Sequence, residues 1–383
     1  MFFKRVVYVF IILILICGTC FGADEEVIDS QKDALGINNF LNETKRYNTG
    51  FENIDYSKLF SDAVSGSVNI DFMITRGFSI LGQEVKGAIN ILGTVMVIII
   101  IHSILKNISE SLGNESTGKI AYFIQFILII IILMKSYNEI IIYIKETISL
   151  LTDFTYILIP ILISLIISTG YVTSGLVMQS IILFSITFIS KTIINFIFPI
   201  LVVSTVLGII SNISDRFNVQ KLAKYFKSSI VWILCIVLTI FTGILSLETS
   251  LSQGVDQVSA KATKSAVSSF VPVVGKILGD TVETVLGCAG ILKNTVGFIG
   301  IIGVIGICIV PIIRVGVLTV TYYLASGLCE VVADKKIVNI LEQMGDSFKI
   351  LFAIITSMSL MMIIGVTIIM KISLGTWKDE KNG

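Results

Sequence analysis

ILFAIITSMSLMMIIGVTIIM, residues 350–370, is a run of 21 residues without one charged side chain. The hydrocarbon core of a bilayer is about 30 Å thick, and a helix needs about 20 apolar residues to cross it. The run therefore predicts a membrane-spanning helix near the C-terminal end of the chain. It decides the class of fold because similar runs recur from residue 88 onward.

The composition of the whole chain indicates the same class of protein. Of its 383 residues, 54% are hydrophobic and 14% are charged, whereas soluble domains carry about 25% charged residues. The formal net charge is +1, so no overall field attracts nucleic acid or acidic substrates. We predict an all-α, polytopic membrane helix bundle of about seven to nine transmembrane helices, in contact with the lipid bilayer and with no nucleic-acid partner.

The N-terminus has the order of a secretory signal peptide, predicted to cover residues 1–23. Lys4 and Arg5 precede an apolar run, and small residues lead to the acidic start at Asp24. An uncleaved anchor is the alternative, and both interpretations place Asp24 outside the cytoplasm. Residues 24–87 are polar and extracytoplasmic, and we expect them to form short amphipathic helices that dock on another structure.

Apolar runs divide the rest of the chain into candidate spans. Single spans are predicted at 88–105, 120–134, 148–168, 229–247 and 350–371. Two longer blocks, at 176–210 and 295–333, each have room for one tilted helix or two tight ones. Because Lys and Arg accumulate in cytoplasmic loops, we favour two helices in each block, which gives nine spans, with seven as the alternative.

This topology divides the bundle into a first transmembrane group, residues 88–247, and a second group with a cytoplasmic tail, residues 291–383. It also places a basic loop in the cytoplasm, as a candidate contact patch for a partner or for lipid headgroups. The patch consists of Arg216, Lys221, Lys224 and Lys227.

The longest interior polar connection, residues 248–290, is predicted to form amphipathic helices outside the cytoplasm, with Asp256 on the polar side. A Pro and a Gly close together mark a break between two helices. The segment is either a gating or partner-docking element or a surface hairpin that only stabilises the bundle. Its candidate contact positions are Phe270, Pro272, Gly275, Asp280 and Glu283.

Four glycines recur every third residue inside an apolar run: Gly297, Gly300, Gly303 and Gly306. Small residues let helices approach closely in a membrane. The repeat therefore predicts tight helix packing, either within one chain or between copies in a ring.

Three ionisable residues, Asp153, Lys191 and Arg314, fall within or at the edges of predicted spans. Asp153 is expected near the first turn of its helix, and the other two where the topology needs turns. Snorkelling to the membrane surface explains all three, and an ion pathway is the alternative.

Residue patterns that catalysis requires are sparse. The chain has one histidine, His102, and its six cysteines lack the spacing of a metal site or a disulfide framework. No phosphate-binding loop, dinucleotide glycine pattern or paired intramembrane carboxylate is present. We therefore expect no enzyme, catalytic residue, cofactor or metal site, and an intramembrane enzyme is the least favoured hypothesis.

Four polar or Pro/Gly stretches stand out within the apolar sequence. They are GKIAY at 118–122, FNVQKLA at 217–223, FVPVVG at 270–275 with Asp280, and LKNTVG at 292–297. Their order and spacing resemble the stage III sporulation protein AE family of endospore-forming bacteria. The similarity runs from the signal peptide to the last span.

The resemblance implies a membrane subunit of the channel complex, a feeding-tube-like secretion apparatus, that connects the mother cell to the forespore. It implies a location in the mother-cell-derived membrane surrounding the forespore and a requirement for forespore development and late forespore gene expression. It also implies partners: other stage III sporulation proteins of the same operon, including ring-forming proteins and a secretion-type ATPase, and a forespore membrane partner across the intermembrane space. The alternative is a self-sufficient multi-pass transporter or permease for a small substrate.

Overall fold

The computed structural model of the chain describes residue 32 and residues 35–47, 50, 51, 54–68, 71–111, 115–213, 219–270 and 275–372. Side chains within these ranges are described except at residues 102, 105–111, 115–119, 121, 122, 251–255, 257–270 and 275–285. All regular secondary structure of the described residues is helical. The predicted signal peptide lies outside the described residues.

Two short helices, α1 (Ile37–Tyr47) and α2 (Tyr56–Val64), precede six long helical runs. In chain order these runs are α3 (Asp71–Ser111), α4 (Glu115–Ser168), α5 (Val172–Thr192) continued by a π-helical turn (Ile193–Ile197) into α6 (Phe198–Ile213), α7 (Gln220–Phe270), α8 (Gly275–Cys329) and α9 (Lys335–Lys371).

Each long run contains a helix long and apolar enough to cross a membrane. The prediction of an all-α membrane helix bundle is therefore confirmed. Within the described ranges the number of such helices is six, fewer than the seven to nine expected, because three stretches that suggested breaks are continuous helix.

The first of these stretches lies in α4, which contains both spans predicted at 120–134 and 148–168. The residues between them include Lys135, Glu139 and Glu146, and this polarity indicates a loop when only hydropathy is considered. The stretch holds no Gly or Pro, and Lys135, Glu139 and Glu146 lie on the exposed side of the helix, while Lys145 lies over the ring of Phe198. The backbone therefore continues as one helix of 54 residues, about 81 Å long.

The second stretch is the block at 176–210, which forms one helical run. The Phe198 N–H donates a hydrogen bond to the carbonyl of Ile193, five residues earlier, and so forms a π turn. The turn changes the hydrogen-bond register next to Pro199, which has no N–H to donate. Lys191, expected at a turn, is instead exposed on the side of this run.

The third stretch is the block at 295–333, which lies within α8. Pro311 is accommodated inside this helix and does not end it. Because proline has no N–H to donate, Pro311 makes no helix hydrogen bond to the carbonyl of Ile307, four residues earlier. The Gly306 carbonyl, in that turn, accepts a hydrogen bond from the Gly50 N–H over 3.0 Å. Arg314 therefore lies in a helix interior and not at the expected turn.

A hairpin of α8 and α9 forms the centre of the bundle. The two helices run in opposite directions, since Lys293 of α8 bonds to Met370 and Ser326 bonds to Val338 near the other end. The other long helices pack around this hairpin, with α3 and α4 against α8. Completely buried side chains such as Leu351 form the core.

The helices α1 and α2 pack against the bundle, so the polar N-terminal segment docks on its own chain. Phe40 and Tyr47 of α1 lie against the ring of Phe154 on α4, with ring centroids 6.3 and 6.2 Å apart. Arg76 of α3 donates a hydrogen bond to the Gly50 carbonyl over 3.3 Å. Both α1 and α2 also contact α8.

Six crossings change one part of the predicted topology. If Asp24 is outside, the connection after α6 is cytoplasmic, as expected for the basic loop. The connection between α7 and α8 is then outside, also as expected. An even number of crossings, however, returns the end of α9 to the side on which α3 begins, whereas nine crossings imply a cytoplasmic tail.

Candidate functional site

The basic patch predicted from the sequence lies at the N-terminal end of α7. Lys221 and Lys224 are exposed there, about one helical turn apart. Lys227 is only 9% exposed, and its Nζ donates a hydrogen bond to the Gln343 carbonyl of α9 over 3.0 Å. Lys227 therefore stabilises the packing of α7 on α9 and lies apart from the exposed patch, because its side of the helix faces α9. Arg216 lies outside the described residues.

A polar cleft opens between the adjoining ends of α8 and α9, beside this patch. Its volume is about 550 Å³, and its lining includes Tyr323, Ser326, Glu330, Lys335, Asn339 and Glu342. A recess of about 60 Å³ is lined by Lys224 and, like the cleft, by Asn339 and Glu342. The exposed basic patch and the cleft therefore form one continuous surface.

Hydrogen bonds between helices hold the walls of this surface in place. The Tyr323 hydroxyl donates to Asp346 Oδ1 over 2.6 Å and joins α8 to α9. Deeper in the bundle, the Thr205 hydroxyl lies 3.1 Å from that of Tyr137 and 2.9 Å from that of Ser347. This cluster links α4, α6 and α9, so the cleft is built on packed helices and not on a loop.

The cleft is polar and its charges are mixed. It carries side chains of both charge signs and is open to the surface. Among the described residues, no group of three or more His, Cys, Asp or Glu is placed to hold a metal ion. Its fixed walls and mixed charges are features of a docking surface.

The predicted gating or contact segment spans the end of α7 and the start of α8. Helix α7 ends at Phe270 and α8 begins at Gly275, and the break predicted around Pro272 lies outside the described residues. Pro272 and the side chains of Phe270, Gly275, Asp280 and Glu283 lie outside the described residues.

Asp256, in the segment predicted to be extracytoplasmic, is a residue whose role the sequence pattern missed. It was placed on the polar side of an amphipathic helix, but it is 4% exposed. Its two carboxylate oxygens accept hydrogen bonds from the N–H groups of Thr173 and Ser174, over 3.1 and 2.8 Å, in the first turn of α5. These N–H groups have no acceptor within α5 and carry the positive end of its dipole. Asp256 therefore caps α5 and fastens the extension of α7 to the bundle.

Two opposing effects act on the pKa of Asp256. Burial raises this pKa, but the hydrogen bonds from Ser174 and Thr173 lower it by more, so it lies below its ordinary value. The carboxylate is therefore ionised at neutral pH, which is the form that best caps a helix N-terminus.

The four glycines of α8 face different partners within the chain. A Cβ atom on Gly297 would collide with Met370, one on Gly300 with Leu158 and one on Gly303 with Phe154. The Gly306 carbonyl meets Gly50, as described above. A step of three residues turns an α-helix by about 300°, so successive glycines are displaced around the helix by about 60°. The repeat therefore serves several contacts of α8 and does not form one groove.

A partly exposed ion pair joins α3 and α8. Arg314 Nε lies 3.0 Å from Glu84 Oε2, and the guanidinium group lies 5.1 Å from the ring centroid of Tyr143 on α4. Arg314 was recognisable in the sequence as an ionisable residue of a span, but Glu84 was not, because the first span is predicted to start at residue 88. An arginine at membrane depth needs a counter-charge, and this need is the signal that could have pointed to Glu84.

Comparison with known proteins identifies the family. The sequence profile described as stage III sporulation protein AE matches residues 54–373. A protein named stage III sporulation protein AE from Bacillus subtilis (strain 168) is 29% identical over 292 residues, which cover 76% of this chain and 73% of that protein. No solved structure matches the chain. Because the matched profile covers more than half of the chain and the six helices among the described residues that can cross a membrane, the chain belongs to the stage III sporulation protein AE family.

Proposed function

We propose that the chain is a membrane subunit of the channel complex that connects the mother cell to the forespore and is required for forespore development. The family assigns the chain to sporulation. The observation that carries the finer proposal is that this family match falls on a bundle with six membrane-crossing helices. Its location is the mother-cell-derived membrane around the forespore.

Two ends of the bundle support contacts with partners on opposite sides of the membrane. Helix α7 continues from Ser250, the end of its candidate span, to Phe270, about 30 Å farther. This extension suits contact with ring-forming proteins in the intermembrane space. At the other end, the patch of Lys221 and Lys224 beside the polar cleft suits a cytoplasmic partner such as a secretion-type ATPase.

A deletion in the spore-forming organism tests the role in the channel. We expect normal engulfment followed by a forespore that stops development and loses late gene expression. Microscopy of engulfed cells and a late forespore reporter measure the two stages, and complementation with the full chain should restore both. Normal spore yield in the deletion strain would contradict the proposal.

A charge reversal tests the cytoplasmic contact separately. The double variant Lys221→Glu/Lys224→Glu should reduce copurification of the chain with the ATPase by about tenfold and leave its level in the membrane unchanged. Lys45→Glu/Lys58→Glu changes the same charge at exposed positions of α1 and α2 and is the matched control. Equal copurification of both double variants would contradict a contact between the patch and the ATPase.

The Arg314–Glu84 ion pair favours the second candidate, a self-sufficient transporter, because paired charges inside a membrane often mark a transport pathway. The purified chain in liposomes distinguishes the two. Passage of small solutes that disappears in Glu84→Gln would favour the transporter, and sealed liposomes would favour the role as a subunit.

A further inference from the structure

The cleft between the ends of α8 and α9 holds three charged side chains that do not pair with one another. Glu330 of α8 and Glu342 of α9 are exposed carboxylates in its lining, and Lys335 at the start of α9 supplies an exposed ammonium group. In the described part of the chain none of the three forms an ion pair. The volume of about 550 Å³ is in the range of small-molecule sites, so the cleft has room for a ligand that carries both charges.

An apolar stripe borders the cleft on α8. It consists of four exposed side chains: Val320, Leu324, Leu328 and Val331. Their spacings of four, four and three residues place them on one side of the helix. Leu324, Leu328 and Val331 each follow a residue that lines the cleft by one position, which is about 100° around an α-helix. The stripe therefore runs along the edge of the cleft.

The cleft lies where the surface of the hairpin changes from apolar to charged. The candidate membrane span of α8 ends at Cys329, and that of α9 begins at Lys335. Along the last turns of α8 the exposed side chains are apolar as far as Leu328, and an exposed charge follows at Glu330. Hydrocarbon accepts the first kind of surface and water the second, so the mouth of the cleft lies at the membrane surface.

The surroundings of the turn between α8 and α9 agree with this position. The Ser103 hydroxyl of α3 donates a hydrogen bond to the Val332 carbonyl over 2.7 Å. Ile101 and Ile104, which are exposed on α3, therefore lie near the level of the turn. On the side of α7, the exposed Lys224 lines the recess beside the cleft. Apolar side chains thus border the turn on one helix, and charged side chains border the cleft on another.

A lipid headgroup with charges of both signs matches this arrangement. Phosphoethanolamine combines a primary ammonium group with a phosphate, and the attached glycerol carries two apolar chains. Glu330 and Glu342 can accept hydrogen bonds from the ammonium group, and Lys335 can pair with the phosphate. The chains can then lie along the apolar stripe. An anionic headgroup without an ammonium group would instead meet two carboxylates of its own charge sign.

We propose that the cleft binds the headgroup of a phospholipid with a primary ammonium group, and that the acyl chains of this lipid cover the apolar stripe. A lipid is favoured over a polar segment of another protein because the charged cleft and the apolar stripe adjoin at the membrane surface. One lipid molecule reaches both from there. The inference goes beyond the proposed function, since it concerns the membrane around the bundle and not a protein partner.

Lipid competition tests the proposal with the purified full chain. The chain in detergent is mixed with equal amounts of phosphatidylethanolamine, phosphatidylcholine and phosphatidylglycerol with identical chains, and native mass spectrometry counts the lipids it retains. Phosphatidylcholine carries three methyl groups on its nitrogen and cannot donate a hydrogen bond to a carboxylate, and phosphatidylglycerol has no ammonium group. We expect phosphatidylethanolamine to be retained about tenfold more than either.

Charge-neutral variants assign the preference to the cleft. Glu330→Gln/Glu342→Gln should retain phosphatidylethanolamine and phosphatidylcholine equally, and Lys335→Gln should lower the retention of both. Glu139→Gln/Glu146→Gln removes the same charge at exposed positions of α4 and should keep the wild-type preference. Free phosphoethanolamine at the concentration of the lipid should not compete, because it has no chains to cover the stripe.

Three results would overturn the proposal. The first is equal retention of the three lipids by the wild-type chain, which needs no variant to fold. The second is an unchanged preference in Glu330→Gln/Glu342→Gln, which would locate the lipid elsewhere. The third is displacement by free phosphoethanolamine, which would indicate a site for a soluble ligand. Equal retention combined with loss of a copurifying protein in Glu330→Gln/Glu342→Gln would assign the cleft to a protein partner and likewise overturn it.

Discussion

Asp256 stabilises the bundle although it lies beyond the apolar part of α7. Its carboxylate caps the N-terminus of α5. In Asp256→Asn an NH2 group replaces one of the two acceptor oxygens. This group cannot accept a hydrogen bond from the N–H of Ser174 or Thr173. We expect the free energy of unfolding to fall by about 1 kcal/mol. Thermal unfolding in detergent micelles measures the change, and Asp62→Asn, in the N-terminal segment, is the control that should leave it unaltered.

The pH dependence of the same contact has a defined sign. The pKa of Asp256 is lower in the folded chain than its ordinary value, so its stabilisation is complete above about pH 4 and disappears as the pH falls through the folded pKa. We expect the difference in unfolding temperature between wild type and Asp256→Asn to shrink below pH 4. A difference that stayed constant down to pH 2 would contradict the assignment.

Gly50 is the residue at which the N-terminal segment approaches α8 most closely. Its N–H bonds to the Gly306 carbonyl, and a Cβ atom would collide with that same oxygen. We expect Gly50→Ala to cost about 2 kcal/mol and to release α1 and α2 from the bundle. Limited proteolysis should then cut the N-terminal segment faster.

Gly82 provides the matched control for this substitution. It lies in α3, and no atom lies within 4 Å of a Cβ built on it. Gly82→Ala should stabilise the helix by about 0.5 kcal/mol or leave it unchanged. Equal protease sensitivity of the two variants would show that the Gly50 contact does not hold the segment.

At the scale of elements, the continuity of α4 is the feature with the clearest test. Ile142 is exposed in the middle of the stretch that looked like a loop. Proline in a helix interior costs about 3 kcal/mol, whereas a solvated loop accepts it. We therefore expect Ile142→Pro to prevent accumulation of folded protein and Ile142→Ala to be tolerated, as measured by size-exclusion chromatography in detergent. A folded Ile142→Pro variant would indicate that the helix is interrupted there.

At the scale of the whole molecule, the six-crossing and the nine-span topologies predict different sides of the membrane for the same turn. The turn at 169–171 and the connection at 330–334 join opposite ends of the bundle. Reporter fusions after residues 170 and 333 should therefore report opposite sides of the membrane, with residue 170 outside the cytoplasm. The nine-span topology places the first turn inside. A cytoplasmic signal from the fusion after residue 170 would contradict the six-crossing arrangement.

The sequence by itself determined the class of fold and the approximate positions of the membrane helices. Uncharged runs such as 350–370 must be buried in lipid or protein, and only helices satisfy their backbone there. The break predicted around Pro272 has a similarly local reason, since proline cannot continue the hydrogen-bond pattern of a helix. The family resemblance was also carried by local stretches of sequence.

The tertiary structure decided which polar residues interrupt a helix and which only mark one of its faces. Hydropathy averages over all sides of a helix, so the charges of α4 indicated a loop, although Lys135, Glu139 and Glu146 lie on one face of a continuous helix. The partners of Asp256, Arg314 and the glycines of α8 depend on helices far away in the chain, which no local pattern specifies. The cleft between α8 and α9 is likewise a property of packing, because its walls are held by contacts such as Tyr323 with Asp346.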